Sequence, residues 1–280
     1  MRTEGGGVRG RPAWAVTAGV VVCLAVVVCL VVVAASGTAS GSPAAPAPQL
    51  PAATPAHRTG PAAVAGVAWP AVGAIFDAAD VGSDGEGWGE HFCSGAVVDT
   101  PAGDTVMTAA HCVADGDGTP ARTDLVFVPG YHDGVAPFGI WTVRDTAVDP
   151  RWVDAADPDL DVAFLAVGRD GAGPIQDVTG GYRLAIDPGD GGPVQVVGYP
   201  EDAAGPVAPT GVATRFSPTQ LQLADADLPG GTSGGPWLRD GTRIIGVTGG
   251  YQQGGESDDV SYASYLDADT VALLATLTAA

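Results

Sequence analysis

The chain is 280 residues long and 46% apolar, with 42 glycines and 23 prolines, a composition that suits many turns and short strands better than long helices. Its 12 basic residues, all arginine, face 32 acidic ones for a net charge of −20, and the acid excess lies after residue 66. Such a surface excludes a nucleic-acid partner, which needs a basic face, and keeps the protein soluble by self-repulsion.

Residues 1–12 are short and basic, with Arg2, Arg9 and Arg11, and read as a cytoplasmic segment. Residues 13–35 follow without a charge. As a helix rising about 1.5 Å per residue they extend about 35 Å, enough to cross a hydrocarbon core of about 30 Å. A secretory signal has a shorter apolar region, about 7–15 residues, so this run is expected to remain as a membrane anchor. Small residues behind it (Ala34, Ala35, Ser36, Ala39, Ser40) still offer a cleavage site, which would leave the rest secreted. Either way the Arg-rich end stays inside and the remainder is exported, a single-pass protein with its globular part outside the cell. Cys23 and Cys29 lie within the run and read as small lipid-facing residues. Residues 36–66 are nearly all Ala, Pro, Gly, Ser and Thr, cannot bury enough apolar surface to fold, and predict an extended tether.

The globular part is expected over residues 67–280. Short apolar runs alternate with turn signals at 72–76, 92–98, 105–108, 125–128, 139–143 and 162–167, and again at 194–197, 221–223, 244–247 and 262–265. That spacing predicts an all-β barrel or sandwich. Over 267–277, Val271, Leu273, Leu274 and Leu277 recur at helical spacing, with Asp267 or Asp269 near the start.

The chemistry gathers around Leu228-Pro229-Gly230-Gly231-Thr232-Ser233-Gly234-Gly235-Pro236-Trp237. Glycines crowd one serine, so its hydroxyl can be exposed while neighbouring N–H groups converge on one point, as attack on a carbonyl carbon requires. A base and an orienting acid stand upstream, in Thr108-Ala109-Ala110-His111-Cys112 and Asp161-Val162-Ala163-Phe164-Leu165. Together the three stretches resemble the TAAHC, D-[small apolar]-A-L-L and G-D-S-G-G-P signatures of the trypsin-like serine proteases, in that family's order of His, Asp, Ser. The resemblance covers about residues 67–266. It is nearest to the bacterial glutamyl-endopeptidase-like and streptogrisin-like members.

The resemblance implies two packed antiparallel Greek-key barrels, the first over about 67–168 and the second over about 169–266, followed by a C-terminal helix at about 267–278. His111 and Asp161 would belong to the first barrel and Ser233 to the second. Ser233 is expected as nucleophile, His111 as base and Asp161 as the group that holds the ring's tautomer, with the N–H groups of Gly231 and Ser233 as the oxyanion hole. His91 and His132 read as loop residues. In an exported domain Cys93 and Cys112 are most simply a disulfide, and the family places a bridge there too. A metal held by these cysteines with His91 or His111 lacks a good fourth ligand, and Asp115-Gly116-Asp117-Gly118 falls short of a calcium loop, so no metal or cofactor is implied.

Specificity is less legible. Asp227 lies six residues before Ser233, where trypsin-like members hold an acid for Arg or Lys, but Pro229 can shift the register and leave Asp225 and Asp227 as solvated loop acids. The opposite pocket wall is expected at Thr248, Gly249 and Gly250, with Thr248 where the glutamyl endopeptidases have His. Thr232 replaces the Asp before the serine, which removes the partner for a freed N-terminal amine, so the Gly-rich loop should be held by its own hydrogen bonds. The partner expected is a polypeptide substrate, cut by a monomeric serine endopeptidase. The other reading is a protease-like module that binds peptides without cutting them.

Overall fold

A computed structural model describes residues 67–82 and 87–278, without the side chain of Thr278. The expected cytoplasmic segment 1–12, membrane helix 13–35 and tether 36–66 lie outside the described residues. Six strands close into a barrel: β1 (Val72–Asp77), β2 (His91–Val97), β3 (Thr105–Thr108), β4 (Leu125–Pro129), β5 (Trp141–Val148) and β6 (Ala163–Gly168). Their order around it is β1-β2-β3-β6-β5-β4, with β4 pairing back onto β1. A short helix α1 (Pro150–Ala155) joins β5 to β6, and α2 (Ile175–Thr179) leads out of the barrel. Seven more strands follow: β7 (Arg183–Leu184), β8 (Gly191–Val196), β9 (Thr210–Ser217), β10 (Gln220–Ala224), β11 (Pro236–Arg239), β12 (Arg243–Val247) and β13 (Val260–Ser264). They form one sheet in the order β13-β10-β9-β8-β11-β12-β7. It curls back on itself, because Thr248 just past β12 bridges Ala263 of β13 and Gly249 N donates to Tyr262 O at 3.0 Å. The helix α3 (Ala268–Thr278) ends the described chain, capped by Asp267, whose Oδ1 accepts the Asp269 N–H at 2.8 Å.

Alternation of side chains along the strands sorts the core into three parts. Ile75, Val106, Leu125, Phe127 and Leu165 fill the first barrel. Their strand neighbours Ala74, Phe76, Met107, Val126 and Phe164 point the other way, against Val197 and Tyr199 just past β8, Leu238, Ile244 and Val247 of the second sheet, and Leu273 of α3. Val196, Leu221, Leu223, Trp237 and Ile245 fill the second barrel. Both faces of the central strands are thus buried, which is why 125–128 and 162–167 read as unbroken apolar runs. Each buried aliphatic or Phe side chain contributes about 1.5–3 kcal/mol by leaving water.

Four elements lack that signature. Strand β9 is mostly exposed or half-buried, with Val212 63% and Phe216 45% exposed. Strand β11 is masked by the turn sequence before it, Pro236 being tolerated as a first strand residue. The two-residue β7 is too short to show periodicity. Helix α1 is set by its start: Asp149 accepts the Arg151 N–H at 2.9 Å, with Pro150 in the first turn.

A disulfide joins Cys93 of β2 to Cys112, with Cα atoms 6.1 Å apart. It closes a loop of about 20 residues, so replacing both cysteines with serine should lower unfolding free energy by about 3 kcal/mol. Denaturant titration of the variant against wild type measures this, and equal midpoints would contradict it.

Candidate active site

His111 sits in one turn of 3-10 helix, Ala110–Cys112, directly after β3. Its neighbours Ala110 and Cys112 are buried, and the disulfide pins the turn to β2. The ring itself keeps a 12% exposed edge. Asp161, fully buried, ends a second 3-10 turn, Pro158–Leu160, before β6. Its Oδ1 accepts the His111 backbone N–H at 2.9 Å, and its Oδ2 meets His111 Nδ1 at 2.8 Å and the Gly250 N–H at 2.7 Å. The 2.8 Å contact suits an Nδ1–H donating to the carboxylate, the tautomer that leaves Nε2 with a lone pair. Three N–H groups thus converge on one buried carboxylate. The nearby acids do other work: Asp157 caps the turn through the Asp159 N–H, and Asp159 accepts from Thr219 Oγ1.

Backbone packing holds the Ser233 loop against β2. The Ser233 carbonyl accepts the Ser94 N–H at 2.7 Å, and Ser94 Oγ donates to the Gly231 carbonyl at 2.9 Å. The same hydroxyl accepts the Tyr199 N–H at 2.8 Å, while the Ser94 carbonyl accepts Thr108 Oγ1 at 2.8 Å. Sequence reasoning missed Ser94, a buried hub whose side chain reaches Gly231, 137 residues away. Gly234 lies so close to Thr108 and Ala109 that a Cβ there would collide with Thr108 Oγ1 and the Ser94 carbonyl. The loop therefore abuts the segment that carries His111. Ser233 Oγ makes no hydrogen bond to a described residue, while the His111–Asp161 contact is closed.

The loop is held as its sequence predicts. Thr232, 2% exposed, donates from Oγ1 to the Pro229 carbonyl at 2.7 Å, and Gly235 N donates to Thr232 O at 2.9 Å. Gly231 has φ 88°, and a Cβ on it would strike the backbone of Tyr199 and Glu201. Neither the Gly231 nor the Ser233 N–H donates to another described residue.

Of the two readings of Asp227, the structure favours the solvated loop acid. Asp227 is exposed with φ 49°, while Ala226 and Leu228 on either side pack into the second barrel. The Ala226 and Leu228 N–H groups are stitched to Asp259 O and Asp258 O. This register turns the acid to solvent, so it is a loop acid like Asp225. Asp227→Ser should leave the preference at the cleaved residue unchanged in a peptide-library profile, and a selective loss of Arg and Lys would contradict this. Thr248 is buried, its Oγ1 accepting Trp237 Nε1 at 3.1 Å, so its side chain belongs to the barrel core and not to a pocket wall. Gly249 and Gly250 are also buried, and it is the Gly250 backbone that reaches Asp161.

Of the remaining histidines, His132 lies in a turn, 3.6 Å from Asp133. His91 is a correction: it begins β2, is 4% exposed, and its Nε2 lies 2.7 Å from the Pro200 carbonyl. Phe76, Tyr131 and Tyr199 surround it with centroids 5.4–6.1 Å away, and burial pulls its pKa below the usual histidine value. It packs the strand and faces no substrate. The Cys93 and Cys112 sulfurs, within 4.8 Å of a His111 ring nitrogen, are bonded to each other and offer no thiolate.

A family model for a trypsin-like peptidase domain matches residues 93–247. Among solved structures, the protease Anisep from Arthrobacter nicotinovorans is 25% identical, covering 75% of this chain and 96% of its own, with a TM-score of 0.64. A thermostable serine protease, AL20, from an extremophilic microorganism is 24% identical over 75% of this chain and 98% of its own, also at 0.64. A Glu endopeptidase is 19% identical over 76% and 92%, with a TM-score of 0.61. No curated protein matches the chain.

Proposed function

We propose, from the premise that the chain belongs to the trypsin-like peptidase family and is a serine endopeptidase, that it cuts polypeptides through Ser233, His111 and Asp161. The observation that carries this is the buried Asp161 carboxylate, which takes both the ring Nδ1 and the backbone N–H of His111. That pair of contacts fixes the ring in one plane and one tautomer, leaving Nε2 as a base. When a peptide occupies the site, Ser233 Oγ attacks the scissile carbonyl carbon and its proton passes to Nε2. The carbonyl oxygen becomes an oxyanion held by the Gly231 and Ser233 N–H groups. Collapse breaks the C–N bond, and the imidazolium returns the proton to the leaving amine. Water then repeats the sequence on the acyl-enzyme. Asp161 stays ionised throughout and stabilises the imidazolium.

The site is complete within one chain, which supports action as a monomer. Export is supported by the disulfide, which persists in oxidising compartments, and by the uncharged run 13–35, which would anchor the protease at the outer membrane face or leave it secreted if cleaved. The purified full chain should release peptides from fluorescein-labelled casein and stop when treated with phenylmethylsulfonyl fluoride. Retention of labelled peptides without cleavage would establish the binding module instead.

A further inference from the structure

The loop that carries Asp161 belongs to the first barrel, yet it is gripped from the second. Gln220 opens β10 and is only 3% exposed. Its Nε2 donates to the Pro158 carbonyl at 2.8 Å and to Asp159 Oδ1 at 3.1 Å. Its Oε1 accepts the Tyr251 N–H at 3.2 Å. The preceding N–H, that of Gly250, is the one that donates to Asp161 Oδ2. A single carboxamide therefore ties the turn before the acid to the turn that hydrogen-bonds the acid. Opposite Gln220 on the β10–β13 ladder stands Ser264, whose hydroxyl reaches the Asp161 carbonyl at 3.4 Å. A buried amide costs about 1–3 kcal/mol for each polar group left unpaired. Here its donors and its acceptor are all engaged, on the two segments that flank one carboxylate.

We propose that Gln220 is a positioning residue for the active site. By fixing residues 158–161 against residues 250–251, it aims the Gly250 N–H at Asp161 and, through Asp161, sets the plane of the His111 ring. The inference rests on the assignment of Asp161 and His111 above. It predicts a larger effect on turnover than on substrate affinity, because the network ends on the carboxylate that orients His111. A misplacement of about 1 Å near reacting groups costs on the order of 100-fold in rate.

The test uses the full chain with Gln220→Met, which keeps most of the volume and removes the amide. The readouts are kcat and KM on the best substrate from a peptide library, together with the His111 Nδ1 proton resonance. The expected result is a kcat lower by about 10- to 100-fold, a KM within about 3-fold of wild type, and a shifted or broadened Nδ1 resonance. Gln220→Glu keeps the length and the acceptor for Tyr251 but sets a carboxylate against the Pro158 carbonyl and Asp159, so it should lose kcat as well. Wild-type kcat in Gln220→Met, a loss carried by KM alone, or a loss with the Nδ1 resonance unmoved would each overturn the proposal. If Gln220→Met does not fold, Gln220→Glu carries the test, and wild-type kcat with an unmoved resonance overturns it. Asp161→Asn run in parallel separates the two levels. If it loses activity while the Gln220 variants keep theirs, only the positioning role falls. If it retains wild-type turnover, the assignment of the acid falls and the positioning role with it.

Discussion

Ser233→Ala should lower peptide turnover by on the order of 10⁶-fold while leaving the melting temperature of the folded domain unchanged. The size follows from chemistry, since alanine has no oxygen to attack the carbonyl and no other hydroxyl stands in that loop apart from Thr232. The Thr232 hydroxyl is already committed to the Pro229 carbonyl and cannot substitute. Stability should be spared because Ser233 holds the fold through its backbone carbonyl and not through Oγ. The check is steady-state hydrolysis of a labelled peptide by purified variant and wild type. Turnover near wild type would remove Ser233 from the mechanism.

Asp161→Asn should cost about 10⁴-fold in kcat with a smaller effect on KM. The carboxylate accepts on both oxygens: the His111 N–H on Oδ1, and the Nδ1 and Gly250 N–H on Oδ2. An asparagine has one acceptor oxygen, so its NH₂ must oppose at least one of these donors. If the NH₂ faces Nδ1 it donates to the ring, drives the proton to Nε2 and leaves no base for Ser233. If it faces the His111 backbone, a buried N–H loses its partner at about 1–3 kcal/mol. Both orientations spoil the site, the first by chemistry and the second by strain. Kinetics of the folded variant across pH decide it, and a kcat within 10-fold of wild type would contradict the role given to Asp161.

The parts of the fold and site that were visible in the sequence are those whose chemistry demands particular residue types in sequence. Thr108 to Cys112, Asp161 to Leu165 and Gly231 to Pro236 each carry their function in a few adjacent positions. The strand β3 was placed at 105–108, where the structure has it, because all four of its residues are buried. What escaped is set by pairing across long stretches of chain. The Ser94 contacts to Tyr199 and Gly231 span 105 and 137 residues. Those of Gln220 with Pro158 and Asp159 span 62 and 61. Gly250 acts through a backbone N–H, which every residue except proline has, so its identity gives no signal. At Asp227 a left-handed backbone leaves the side chain exposed between two buried neighbours, which no local sequence pattern announces. His91 reads as a loop residue from the sequence, yet it opens β2, and its aromatic surroundings and the Pro200 carbonyl satisfy it inside the protein.

The central claim is that one activated serine does the chemistry, with His111 as its base. A fluorophosphonate probe tests this directly, because phosphonylation requires a nucleophilic oxygen beside a working oxyanion hole. Mass mapping of the labelled full chain should find a single adduct on the peptide containing Ser233, absent in Ser233→Ala and formed far more slowly in His111→Ala. No labelling of the folded wild type, or an adduct on another residue, would contradict the account.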